Sequence, residues 1–234
     1  MSKQGQSACL RTARSSRCRA GVVLGLLLSL VVTVGSGCSL VVMAGKMFLG
    51  NPRLASEFTM ATGVRLGDAE ETVVVIARVP SYLSGDLATL ESDLITGVTD
   101  RLIRESIKAT EADEVIDWID ERGTSDDVEG AARKFETDYI VHIELEEFEN
   151  REENTSSLHR GRARGTVRAY KVELVGEKRV PRVIFDREFQ TKHPRQQPVL
   201  VGEVTQTAFA RRHLEQLCGD LARKFHDHLP GAGI

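Results

Sequence analysis

Four arginines, Arg160, Arg162, Arg164 and Arg168, stand at even spacing in "RGRARGTVR". A separation of two sets side chains on one face of an extended strand. Guanidinium groups in such a row bind carboxylates or phosphates through paired N–H donors. Two kinds of chemistry are open to them. One is an anionic docking patch, for a cell-wall polymer, a phospholipid headgroup or an acidic partner. The other is cross-strand pairing with His142, Glu144 and Glu146, which alternate with apolar residues in "DYIVHIELEEFE". Antiparallel neighbours would place these charges opposite one another, and that pairing is the preferred reading.

Other residue types with reactive potential lack the spacing that chemistry needs. Gly45-Lys46 has neither the preceding glycine nor the following hydroxyl residue of a phosphate loop. His226 and His228, two apart on a helix, would point about 200° from each other. His142, His159, His193 and His213 are scattered, with no HExxH or Gly-x-Ser-x-Gly around any of them. Glu144, Glu146 and Glu147 read as a solvated strand face. Of the four cysteines, Cys9 and Cys18 lie in a basic leader, Cys38 follows small residues, and Cys218 sits at an apolar helical position as a small core residue. No Cys-x-x-Cys pair or Cys/His ligand spacing occurs. The expectation is a protein that is not an enzyme, without cofactor or metal.

The leader has its own physics. Residues 1–37 carry Lys3, Arg11, Arg14, Arg17 and Arg19 and no acid, which leaves 26 basic and 34 acidic residues, a net −8, in the remainder. A body of that sign has no overall attraction for nucleic acid. Residues 21–34, "GVVLGLLLSLVVTV", are an uncharged run of 14, the length of a secretory h-region and short of the roughly 20 needed to span hydrocarbon. The uncharged stretch continues to Gly45, so an uncut signal anchor is the alternative. Ser36, Gly37 and Cys38 resemble the last three positions of a bacterial lipobox, with Gly35 where an aliphatic residue is usual. That resemblance implies cleavage before Cys38, acylation of its thiol, and attachment to the membrane through the lipid. It favours lipoprotein over anchor, and Ser39 after the cysteine implies the outer membrane, facing the periplasm.

The elements that must hold the arginines follow from periodicity. "TVVVIARVP" is a strand apolar on both faces. Leu87, Leu90, Leu94, Val98 and Leu102 form a helical stripe. "SIKAT" is a short strand; Thr110 with Asp113 caps a helix that Gly123 closes; residues 125–135 form another. Strands follow at 138–149, 162–175 and about 183–192, with a polar exposed loop over 149–161. The change of parity beyond Tyr170 predicts a bulge, while Val183, Phe185 and Phe189 mark one face. Ala210, Leu214, Leu217, Cys218, Leu221 and Phe225 stripe a last helix. The order β-α-β-α-α-β-β-β-α makes an α+β domain with a single mixed sheet and helices packed on it, divided as signal peptide 1–37, lipidated cysteine and tether 38–70, and globular domain 71–230.

This order, with "TVVVIA" and "AARKFETDYIVHIELEEF", resembles the penicillin-binding-protein activator, curli-secretion and TolB amino-terminal type of envelope domain. The opening "GCSLVVMAGKMFLGNP" resembles the start of an uncharacterised bacterial lipoprotein family. The second resemblance supports the envelope address and adds no activity. With no catalytic constellation in the sequence, the preferred reading is a non-catalytic binding or assembly module of the cell envelope, with an envelope protein or further copies of itself as partner. A hydrolase whose carboxylates meet only on folding is the reading of another class.

Overall fold

A computed structural model describes residues 53–68, 70–83 and 89–229. Chain order is α1 (Glu57–Thr62), β1 (Thr72–Arg78), a 3-10 turn (Ser81–Leu83), α2 (Leu90–Arg104), β2 (Lys108–Ala109), α3 (Ala112–Arg122), α4 (Val128–Phe135), β3 (Tyr139–Arg151), β4 (Leu158–Val175), β5 (Lys178–His193), β6 (Val199–Leu200) and α5 (Gln206–Ala222). The class is the expected one, a single open mixed sheet with helices packed on it. Its strands run β2-β1-β3-β4-β5, and β6 pairs with the start of β4. β1 is parallel to β2 and β3, whereas β3, β4 and β5 are antiparallel.

Val73 to Ala77 are fully buried, because helices cover both faces of β1 and its side chains have no solvent side. On one face, α2 and α5 pack against each other and the sheet. Gly97 of α2 permits this approach, since a Cβ there would lie 2.6 Å from Cys218 Sγ. Cys218 is accordingly a buried free thiol, pushed up to about 12 by desolvation. It is a packing residue, as its helical position implied. On the other face, Trp118 of α3 meets Phe135 of α4 edge-on at 5.4 Å.

Several local expectations are corrected. The packed unit begins at Arg53, inside the stretch assigned to the tether. There α1 buries Phe58, and Leu66 follows it into the core. The N-cap of α3 is Glu111, with no side-chain cap bond, rather than Thr110. Helix α4 opens at Val128, where Asp127 Oδ1 accepts from Gly130 N at 2.7 Å. The exposed loop expected over 149–161 is confined to residues 152–157, because β3 runs to Arg151 and β4 starts at Leu158. The parity break is real. In the β4–β5 ladder Ala169 pairs with Phe185 and Tyr170 with Val183, so Ile184 is the extra residue. That bulge turns Val183 outward, 52% exposed, instead of beside Phe185. Leu87 and Cys38 lie outside the described residues.

Candidate functional site

The strand register builds a charged face on the half of the sheet formed by β3, β4 and β5. His142 lies opposite Arg168, Glu147 opposite Arg164, and Glu149 opposite Arg162. Each of the four arginines has a carboxylate beside it. Arg168 reaches Glu144 at 3.1 Å and Asp186 at 3.2 Å. Arg164 reaches Glu146 at 3.8 Å and Glu147 at 3.6 Å. Arg162 meets Glu147, Glu149, Glu152 and Glu153. Arg160 pairs with Glu152 at 3.0 Å and donates to the Gln196 carbonyl at 2.9 Å. The partners extend beyond the His142, Glu144 and Glu146 that alternation alone suggested. One cause is a bulge in β3 between Leu145 and Glu147 that brings Glu147 onto the arginine face.

Exposure grades the contributions of this ladder. Arg162 has 13% of its side chain exposed and Arg164 has 58%. Removing a mostly buried cation strands several carboxylates at once, whereas an exposed pair is screened by water. Arg162→Ala is expected to cost about 2 kcal/mol and Arg164→Ala under about 1 kcal/mol. Thermal melts of the two variants side by side check this. Equal losses would show that burial does not grade the ladder.

The network continues into the end of β1. Arg78 binds Glu144 at 3.2 Å and Asp126 at 3.1 Å, and Asp126 Oδ1 stands 3.7 Å from His142 Nε2. Burial holds the His142 imidazole below its usual range, with Asp126 opposing. Nearby, Glu91 lines a cleft of about 200 Å³ with Asp120 and Ile116. Burial pushes its carboxyl up. Its Oε2 accepts from Val79 N at 2.9 Å and from Ser125 Oγ at 3.4 Å. These bonds tie the end of β1 to the first turn of α2, which is a structural employment.

A second concavity, about 630 Å³, lies between the edge strand β5 and the chain around α1, with Leu54, Met60, Phe189, Leu221 and Lys224 among its walls. Sequence reasoning missed it, since its residues come from both ends of the unit. It also missed a histidine cluster in the core. His159 and His213 are fully buried, with Asn150 bonded to both rings. The available signal was parity, for His159 is in phase with Gly161 and Ala163. His226 and His228 follow the end of α5 rather than sitting on it. Among the described residues no group of three or more His, Cys, Asp or Glu side chains is arranged to hold a metal ion. No described helix is long and apolar enough to cross a membrane.

No protein family and no curated protein matches the sequence. Solved structures with a similar arrangement include a PelC dodecamer from Paraburkholderia phytofirmans, at 10% identity over 75% of this chain and 93% of that one, with a TM-score of 0.36. Lipoprotein GNA1162 from Neisseria meningitidis is 8% identical over 65% of this chain and 98% of that one, at 0.34. A minor lipoprotein from Acinetobacter baumannii is 12% identical over 69% and 98%, at 0.29. Each is a distant likeness, of fold at most.

Proposed function

We propose that this chain is a lipid-anchored envelope protein whose domain acts as a binding or assembly module without catalysis of its own. The observation that carries the reading is the basic leader, the apolar run of residues 21–34 and Ser36-Gly37-Cys38 in immediate succession. A helix of that run falls short of the hydrocarbon thickness, whereas two acyl chains on one cysteine hold a protein firmly at a bilayer. The outer membrane, with the domain facing the periplasm, is the placement proposed from Ser39. The folded unit supports a binding role through surface rather than reactive groups. The four arginines of β4 are engaged by carboxylates, and the edge groove is walled mainly by packing and ion-paired side chains. The partner proposed is another envelope protein or further copies of the chain.

The test is the intact mass of detergent-extracted protein from a bacterial host, beside Cys38→Ala. A species beginning at Cys38 with added acyl mass, absent from the variant, is the expected result, together with loss of the variant from the membrane fraction. A full-length species indifferent to the substitution would instead establish the signal anchor.

A further inference from the structure

The cluster behind α5 has a shape of its own. His213 stacks on Phe148 of β3 at 4.5 Å with an interplanar angle of 8°. Gly161 of β4 leaves room for that ring, since a Cβ there would lie 2.4 Å from His213 Cγ. His213 Nδ1 donates to Asn150 Oδ1 at 2.9 Å. His159 stacks on Phe209 at 4.8 Å, and its Nδ1 lies 3.3 Å from the Asn150 carbonyl oxygen. His193 of β5 is parallel to His213 at 6.3 Å. The Nε2 atoms of His159 and His213 are buried with no hydrogen-bond partner.

A bare Nε2 lone pair is tolerable on a neutral imidazole in an apolar site; a proton there is not. The groups facing His213 are Phe148 and Asn150 from β3, Gly161 and His159 from β4, and His193 from β5. Along α5 the nearby charges are Arg212, which disfavours a second charge on His193, and Asp220, which favours it. The histidine ion pairs of the described residues belong to His142 and His226, not to this cluster. Among the described residues nothing in the closed arrangement neutralises a proton on His213 Nε2.

We propose that the amino-terminal half of α5 is an acid-released latch: protonation of His213 is accommodated only when that half lifts from β3, β4 and β5, uncovering Phe148, Phe209 and the Gly161 floor. Burial, with His193 beside it, holds the His213 imidazole down at about 3. The sign follows from this direction. A histidine depressed in the closed state stabilises closure fully above its ordinary value, about 6.5. That contribution is lost as pH falls from there toward about 3. Each pH unit within the window costs about tenfold in the closing equilibrium.

Hydrogen exchange of the full chain in detergent, corrected for intrinsic rates, tests the latch between pH 7.5 and 5.0. Protection of residues 206–214 is expected to fall about 30-fold, a decade per unit over the 1.5 units below 6.5, while residues 90–104 in α2 keep theirs. His213→Phe, which cannot titrate, should flatten the response of 206–214. In wild-type protein, unchanged protection or equal loss in both helices would overturn the proposal. So would an undiminished response in the variant.

Discussion

Gly165→Ala is expected to lower the melting temperature by about 6–12 °C, the largest effect of any single methyl group added to this sheet. Gly165 sits on β4 opposite Leu145, one residue from the β3 bulge, and opposite Phe189 on β5. A Cβ there would stand 2.1 Å from the Glu144 carbonyl oxygen, 3.1 Å from its carbonyl carbon and 2.9 Å from Phe189 Cζ. The phenyl tip can swing by a few tenths of an ångström. The carbonyl cannot, because it belongs to the strand whose side chain binds Arg78 and Arg168. Relief would require the β3–β4 ladder to part at its bulge, a backbone clash of the severe class, about 3 kcal/mol or more. For a unit of this size each kcal/mol moves the melt by about 2–4 °C. Gly202→Ala, with nothing within 4 Å of the added carbon, is the control and should melt with the wild type. A Gly165→Ala melt within 2 °C of the parent would mean that the strands part at little cost.

These two glycines also mark what the sequence could and could not disclose. Parity along "RARGTVRAY" put Gly165 on the apolar face with Ala163 and Val167, where it is found, and put the arginines opposite. Parity also foretold the bulge near Tyr170, because two alternating runs out of phase can join only through an extra residue. It did not assign that residue to β5, so Val183 was set on the wrong face. Nor did local pattern reach the bulge at Glu146, whose effect is to bring Glu147 to Arg162 and Arg164. The site residues followed the same division. Four arginines on one face were legible, and so were Glu144 and Glu146 among their carboxylates; Glu147 and Glu149, which lie directly across from Arg164 and Arg162, were hidden by the bulge, which shifts the register beyond Leu145. His159, His213 and Asn150 come together from β4, α5 and β3, and a polar-looking "ENREENTSSLHRG" disguised a strand end buried under a helix. Short elements such as α1 and β6 carry too few residues for periodicity to register.

The importance of α1 gives the other large expectation: Phe58→Ala should destabilise the domain by about 3–5 kcal/mol. A six-residue helix has no stability alone, so this one must be held from outside. Its cap is local, Ser56 Oγ accepting from Thr59 N. Its attachments are remote. Ser56 N donates to Asp227 Oδ1 at 3.0 Å, and Phe58 N donates to the Lys224 carbonyl at 2.9 Å. Leu54 and His228 exchange two backbone bonds. Phe58 closes the assembly, fully buried, with Tyr139, Phe185 and Phe225 rings at 6.1, 5.8 and 5.7 Å. Truncating it removes the ring common to all three contacts, and a site bounded by β3, β5 and the segment after α5 cannot collapse to fill the space. Phe58→Leu, which keeps most of the volume, should cost far less. Denaturant melts of the two variants measure the difference, and hydrogen exchange should show residues 224–228 losing protection first in Phe58→Ala. If those residues stay protected while the melt falls, the segment is held by its own contacts and α1 is only a cover. If neither changes, the aromatic cluster does not anchor the start of the domain at all.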